Sequence, residues 1–450
     1  MRAPELIDAA ISHRVLVFGS LPPEGRDLDL LVREDEKRAI STSLTQAGFV
    51  RKASEWARFA SCSVEIVELV DAASWALSAT ELDALFDDAL IIEGLHNVVR
   101  PSPPHALLIL AQRIACGDGV LDEKRRSRLQ QALAEDPDVW ARARTMAPGW
   151  SATEAIDALE GLWRTGNRIP AAQRTAARRE RQIAREGPAG ARARVASAVG
   201  RISQLRRGAV VALSGLDGAG KSSQAAALCD VLEHLGYKVI VVRTRIAWDD
   251  SLWTVTGPIK RLLRPPLRLL TTLRPPSAPR PRPIAREQPD EGNDALVPDQ
   301  PLASDPVTLV RESSPLLTDL WTLVITLANA SLQWKLMRRE LLRGYIVICD
   351  RYTLDSIVEL RYSYGTERRY RGARAAMSTL YPKPVRAFFL DVSPQAALAR
   401  KGEWGMQWLS EHREIYLEEC ERLGVRLLDG ELPPADICDE IAREVWLSDI

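Results

Sequence analysis

The sequence has little of what would mark a crosslinked, secreted or membrane-spanning chain. Its six cysteines, Cys62, Cys116, Cys229, Cys349, Cys420 and Cys438, include no close-spaced pair. That excludes a zinc-binding spacing and a disulfide framework, and leaves small apolar side chains in a reducing compartment. No secretory signal is expected, because the apolar run Val15 to Phe18 is short and lacks a small-residue cleavage pattern. The most apolar later segment, Leu316 to Trp334, is interrupted by Thr318, Asp319, Asn329 and Gln333, so it reads as a buried helix rather than a span. The expected location is the cytoplasm. Net charge is also missing: 60 Lys and Arg balance 60 Asp and Glu. The whole molecule therefore offers no field that would gather nucleic acid. His13, His96 and His105 have no companions at ligand spacing and read as surface or packing residues.

What is present is length. At 450 residues, with 46% apolar and 27% charged positions, the chain is too long for one core and is expected to form two or three domains. The composition suggests a domain over 1–140, a helical basic connector over 141–207, and a second domain over 208–450. In the connector, Arg and Ala dominate from Arg164 to Arg207, and Gly187-Pro188 should break the helix. Glu180 and Glu186 dilute its charge and stacking aromatics are absent, so nucleic acid is not an expected partner. Roughly from 257 to 306 the chain is crowded with Pro and Arg, which blocks both helices and ladders and predicts a disordered or polyproline insertion.

The strongest pattern is Ala209 to Cys229, AVVALSGLDGAGKSSQAAALC. A buried parallel strand breaks into Gly215-Leu216-Asp217-Gly218-Ala219-Gly220-Lys221-Ser222, the GxxxxGK[ST] phosphate-binding loop, and a helix follows. Loop glycines let backbone N–H groups turn toward a triphosphate, while the helix N-terminus adds its positive end. ATP contacts are expected from Gly215, Gly218, Ala219, Gly220, Lys221, Ser222 and Ser223. Lys221 would reach the β and γ phosphates and the Ser222 hydroxyl would ligate Mg²⁺. A second strand, Lys238 to Thr244, ends near Arg243 and Arg245. Another, Tyr345 to Cys349, ends at Asp350-Arg351-Tyr352. There Asp350 could orient a Mg²⁺ shell and Arg351 could clamp a phosphate bidentately. Further βα alternation to the C-terminus argues a parallel sheet with helices on both faces.

In the first third, RVLVFGS (Arg14 to Ser20) and DLDLLV (Asp27 to Val32) read as strands. A period of two puts Asp27 and Asp29 on one face, where they could hold a metal. This arrangement resembles the polymerase-β-like nucleotidyltransferase superfamily, a small α+β fold in which a Gly-Ser turn precedes an Asp-x-Asp strand. The resemblance implies a third carboxylate on a later strand, for which Glu65 is the candidate.

The second half is similar to thymidylate kinase and its relatives through GLDGAGKSSQ (Gly215 to Gln224), DRY (Asp350 to Tyr352), LDVSPQAALAR (Leu390 to Arg400) and REIYLE (Arg413 to Glu418). The resemblance implies an α/β P-loop NTPase fold of the nucleoside monophosphate kinase type. It implies Asp350 and Arg351 at the acceptor phosphate, Asp217 at the acceptor's sugar, and Arg400 and Lys401 in a lid over ATP. Arg245, Tyr352 and Arg361 are further candidates for acceptor contacts. Where the family carries Arg-Glu-Pro after the second strand, Arg245 is followed by Ile246, Ala247 and Trp248, and TLDSIVELRYSYG lacks the Ser-Ser and Gln pattern of the thymine pocket. The acceptor therefore stays open, dTMP or another phosphorylated small molecule. The expected activity is ATP- and Mg²⁺-dependent phosphoryl transfer, with two alternatives: an ATP-dependent binding or regulatory module, and nucleotidyl transfer by the first domain. A homodimer is a further expectation.

Overall fold

The computed structural model describes residues 2–19, 27–166, 168–186, 208–243, 341–364 and 371–448, with scattered helical positions between 322 and 340. Ser20 of the Gly-Ser turn, the connector beyond 186, Arg245 and the Pro-rich insertion lie outside the described residues. The chain divides into two compact units, one formed mainly by residues up to 205 and one by residues from 206.

The amino-terminal unit is built on a mixed seven-stranded sheet. Its strands are β1 (Val15–Val17), β2 (Asp27–Val32), β3 (Val50–Lys52), β4 (Glu55–Ala60), β5 (Ser63–Asp71), β6 (Leu90–Ile91) and β7 (Val98–Arg100), in the order β3-β4-β5-β2-β1-β7-β6. β2 pairs antiparallel with β1 and parallel with β5. Alternate residues feed two cores, as the strand period requires. Val15, Val17, Leu28, Leu30 and Val67 join one core, and Leu16 and Leu31 join the other. That second core lies under the helices Pro103–Ala115, Glu123–Glu135 and Thr153–Thr165. Pro103 opens the first of these at a position where its missing N–H costs nothing. Asp122 caps the next, accepting from the Arg125 amide at 2.8 Å.

The segment expected to be a connector from 141 is packed for much of its length. Trp150, Ile156, Leu159, Leu162, Ile169 and Ala177 are buried in the same core as Leu107 and Leu108. The basic helix Ala171–Glu186 is fastened as well: Arg178 donates to the carbonyls of Cys116 and Gly117, and Glu180 accepts from the amides of Thr153 and Glu154. Composition made this helix look solvated because its apolar stripe is mostly alanine.

The carboxy-terminal unit holds a five-stranded sheet of β8 (Ala209–Gly215), β9 (Lys238–Arg243), β10 (Tyr345–Asp350), β11 (Arg386–Asp391) and β12 (Arg426–Asp429), ordered β12-β11-β8-β10-β9. Every pairing is parallel. The central strand β8 is buried at all seven positions, which is why its sequence is a continuous run of small and branched residues. The helices Lys221–His234, Thr353–Tyr364, Met406–Leu423 and Pro434–Leu447 cover the sheet. Both units are thus α/β, one with a mixed sheet and one with a parallel sheet. Among the described residues no helix is long and apolar enough to cross a membrane.

Candidate functional site

The site of the carboxy-terminal unit sits at the carboxyl edge of the parallel sheet, where β8 and β10 end side by side. β8 runs into the phosphate-binding loop. At Gly218 the backbone has φ +89° and a Cβ would lie 2.6 Å from the Ala397 carbonyl oxygen, so only glycine fits. Lys221, 6% exposed, folds back so that its ammonium donates to the carbonyls of Gly215 (2.8 Å) and Leu216 (2.7 Å). Burial, reinforced by Arg351, pushes Lys221 down to about 8 against the pull of Asp355, Asp217 and Asp350.

β10 delivers the acid. Asp350, 4% exposed, accepts from the Ser222 hydroxyl at 2.6 Å and from Arg243 Nε at 3.2 Å, both on Oδ2. Arg351 follows with a left-handed φ of +76°, held by its own amide donating to the Leu213 carbonyl at 2.9 Å. Its guanidinium pairs with Asp217. Trp404 Nε1 donates to the other oxygen of Asp217 at 3.0 Å. Burial opposes ionisation of Asp217, but Arg351, Lys221 and the indole N–H outweigh it and hold the carboxyl below the usual carboxylate range.

These groups converge on a cavity of about 310 Å³ lined by Asp217, Gly218, Gly220, Lys221, Ser222, Ser223, Arg243, Asp350, Arg351, Arg400, Lys401 and Glu403. Gly215 and Ala219 shape the loop beneath it without lining it. Arg400 also donates to the Gly430 carbonyl at 3.0 Å, and Lys401 pairs with Glu403 at 3.0 Å. Two expected acceptor contacts are elsewhere. Tyr352 is 1% exposed, with its hydroxyl donating to the Pro382 carbonyl at 2.9 Å, so it is a core residue. Arg361 is captured by Glu418 and by Glu419, the latter at 3.0 Å. Glu403 and Trp404 were missed, and Arg243 was noted at its strand end but Arg245 was chosen for the site. The signal for Arg243 was available, since it ends β9 in register with Asp350, whereas Arg245 lies beyond the strand.

In the amino-terminal unit, register decides which carboxylates meet. Asp29 pairs with Glu68 across β2 and β5, and Asp27 pairs with Ile66. Glu68 therefore shares the face of both aspartates. Glu65, the expected third carboxylate, stands on the opposite face, bound to Arg58 at 2.6 Å and to the Ala3 amide at 2.7 Å. Burial, then Asp29, Glu55 and Asp27, push Glu68 up to about 7. Gly19 abuts Asp29: a Cβ there would lie 2.8 Å from Oδ2. A cavity of about 1060 Å³ beside them is lined by Phe18, Gly19, Arg100, Arg113, Lys124 and Arg128, among others. His13 has a partner after all, since its Nδ1 lies 2.5 Å from Glu36 with Asp35 beside it.

A parallel sheet ending in a phosphate-binding loop, with an acid and an arginine at the end of the neighbouring strand, defines a P-loop kinase-like unit. The chain is 30% identical over 135 residues to the thymidylate kinase of Coprothermobacter proteolyticus, a match covering 28% of this chain and 68% of that protein. The chain belongs to the thymidylate kinase family. No protein-family model matches it.

Proposed function

We propose that the carboxy-terminal unit is an ATP- and Mg²⁺-dependent phosphotransferase whose acceptor carries a phosphate group. The observation that carries this reading is the convergence of Lys221, the Ser222–Asp350 hydrogen bond and four further cations, Arg243, Arg351, Arg400 and Lys401, on one cavity. A hydroxyl and a buried carboxylate 2.6 Å apart are the hard oxygen donors that Mg²⁺ takes. Held there, the ion would spread charge neutralisation over the donor's phosphates.

The loop amides and Lys221 would hold the donor's β and γ phosphates. Lys221 would leave its two carbonyl partners for the phosphate oxygens. Arg351 and Arg243 would fix the acceptor phosphate, one of whose oxygens attacks the γ phosphorus as ADP leaves. Arg400 and Lys401 would offset charge on the group in flight. In-line transfer needs positioning and neutralisation more than covalent chemistry, and this cavity supplies both. The test is ADP formation against a panel of phosphorylated acceptors. Wild type should turn over at least one of them, and Lys221→Ala should lower that rate by roughly 10²–10³-fold, the scale of losing one charge-stabilising donor. Equal rates in the two proteins would overturn the reading. Tight ATP binding with no turnover would point to a binding module instead.

A second reading concerns the amino-terminal unit: nucleotidyl transfer with Asp27, Asp29 and Glu68 as the carboxylates. It is favoured by the raised Glu68, since a cation bound among these groups would relieve the repulsion from Asp29. Pyrophosphate release from nucleoside triphosphates should then survive Lys221→Ala and disappear in Asp29→Ala and Glu68→Gln. Loss with Lys221→Ala, or survival in Asp29→Ala, would reject it.

A further inference from the structure

Four aromatic rings form a column beside the phosphate cavity. Tyr362 packs on His412 with centroids 4.1 Å apart, His412 stacks on Trp408 at 3.6 Å, and Trp408 stacks on Trp404 at 4.2 Å with planes 13° apart. Trp408 and His412 are four residues apart on the helix Met406–Leu423, so they lie one above the other on the same face. The column is fixed from within: His412 is 2% exposed and its Nδ1 lies 3.0 Å from the Trp408 carbonyl. The outer end is Trp404, which precedes the helix and is half-buried. Among the described residues, Trp408 is the one ring that stacks on it.

Trp404 is also fixed in its plane. Its indole N–H is tied to Asp217, the carboxylate that pairs with Arg351. A flat apolar ring, clamped by a stack on one face and a hydrogen bond at its edge, is already ordered for a second stacking partner. The geometry points to Trp404 as the stacking platform for a planar ring carried by the acceptor. This inference rests on the reading of the cavity as an acceptor site. Two hydrogen bonds of ordinary length on one carboxylate keep the Arg351 donor and the indole nitrogen within about 8 Å of each other. A phosphate on Arg351 and a base against the indole, as one nucleoside monophosphate carries them, fit within that limit. Ring-less sugar phosphates could engage Arg351 and would leave the indole uncovered. Stacking tolerates any base, so Trp404 selects for a nucleobase as a class, and choice among bases falls to other residues.

Calorimetric titration with the donor site filled by a nonhydrolysable ATP analogue tests this without requiring turnover. The ligands are dTMP, UMP, GMP, AMP and ribose 5-phosphate, and the proteins are wild type, Trp404→Phe and Trp404→Ala. At least one nucleoside monophosphate should bind wild type, and Trp404→Phe, which keeps a ring but loses the indole N–H to Asp217, should bind it within a few-fold of wild type. Trp404→Ala should bind it roughly ten- to hundred-fold more weakly, the range of one base–aromatic stack. Ribose 5-phosphate should bind weakly and equally to all three. The inference is overturned if Trp404→Ala binds nucleotides as wild type does. It is also overturned if wild type prefers ribose 5-phosphate or binds no monophosphate, or if the variant loses affinity for the ATP analogue instead. Because Trp404→Phe keeps a ring, a loss in both variants would indicate a damaged fold and reject the stacking role. Absence of ADP formation alongside ring-dependent binding would remove the kinase reading and leave this one standing.

Discussion

Arg351 has a backbone that its side chain does not favour. A non-glycine residue at φ +76° carries strain of about 1–3 kcal/mol and persists only where its surroundings enforce it. Here the enforcement comes from the Arg351 amide bound to Leu213 and the next amide, Tyr352, bound to Asp355 Oδ2 at 2.8 Å. The strain aims the guanidinium at Asp217 and into the cavity. Arg351→Ala and Arg351→Gly both remove that guanidinium, but only glycine releases the backbone. Urea unfolding should therefore show the glycine variant to be more stable than the alanine variant by about 1 kcal/mol, with acceptor turnover lost in both. Equal stabilities would mean that φ is not held in that region.

The residue scale is also where the sequence was hardest to read. Lys221, Ser222 and Asp350 were legible because a local motif and a strand end place them. Glu68 was not, because which of two alternating carboxylates faces Asp29 depends on the register between β2 and β5, set by pairing that a linear reading does not contain. Tyr352 and Arg361, offered as candidates for acceptor contacts through the family resemblance, are held elsewhere by long-range packing. One is buried under the sheet, and the other has carboxylate partners 57 and 58 residues away.

Among the elements, one carboxylate joins three. Asp355, in the first turn of the helix Thr353–Tyr364, is 9% exposed. It accepts from Ser214 on β8 at 2.6 Å and from Tyr416 on the helix Met406–Leu423 at 2.8 Å, besides the Tyr352 amide. The strand that carries the phosphate loop and the helix that follows the Trp404 segment are thereby tied to the helix that follows Arg351. Asp355→Asn keeps the shape but turns one acceptor oxygen into a donor facing donors. Its expected cost is about 1–3 kcal/mol of stability, read as a lower urea midpoint with unchanged slope. No change in midpoint would show that the network contributes nothing. The elements themselves were well foreshadowed: β8, the helix after the phosphate loop, β9 and β10 fall where the sequence pattern puts them. The helices Val139–Met146 and Thr153–Thr165 fall largely within the stretch expected as a helical connector, for which no separate helix bounds were drawn.

At the scale of the whole molecule, each unit has its own sheet and core and its own candidate set of carboxylates and cations. Lys221→Ala and Asp29→Ala therefore address different chemistry, and measuring ADP and pyrophosphate on the same two variants assigns each product to a unit. The parallel sheet of the second unit was implied by βα alternation, and its strand order came from the structure. Length led to an expectation of two or three domains, and the molecule divides into two compact units.

β9 and β10 are neighbours, with Arg243 opposite Asp350. The sheet thus sets side by side two residues 107 positions apart in the chain, and this corner of the site exists only once that distant pairing has formed. Pairing between strands so far apart in sequence is slow, so the phosphate loop, local to β8 and the helix after it, is the part of the site that forms first.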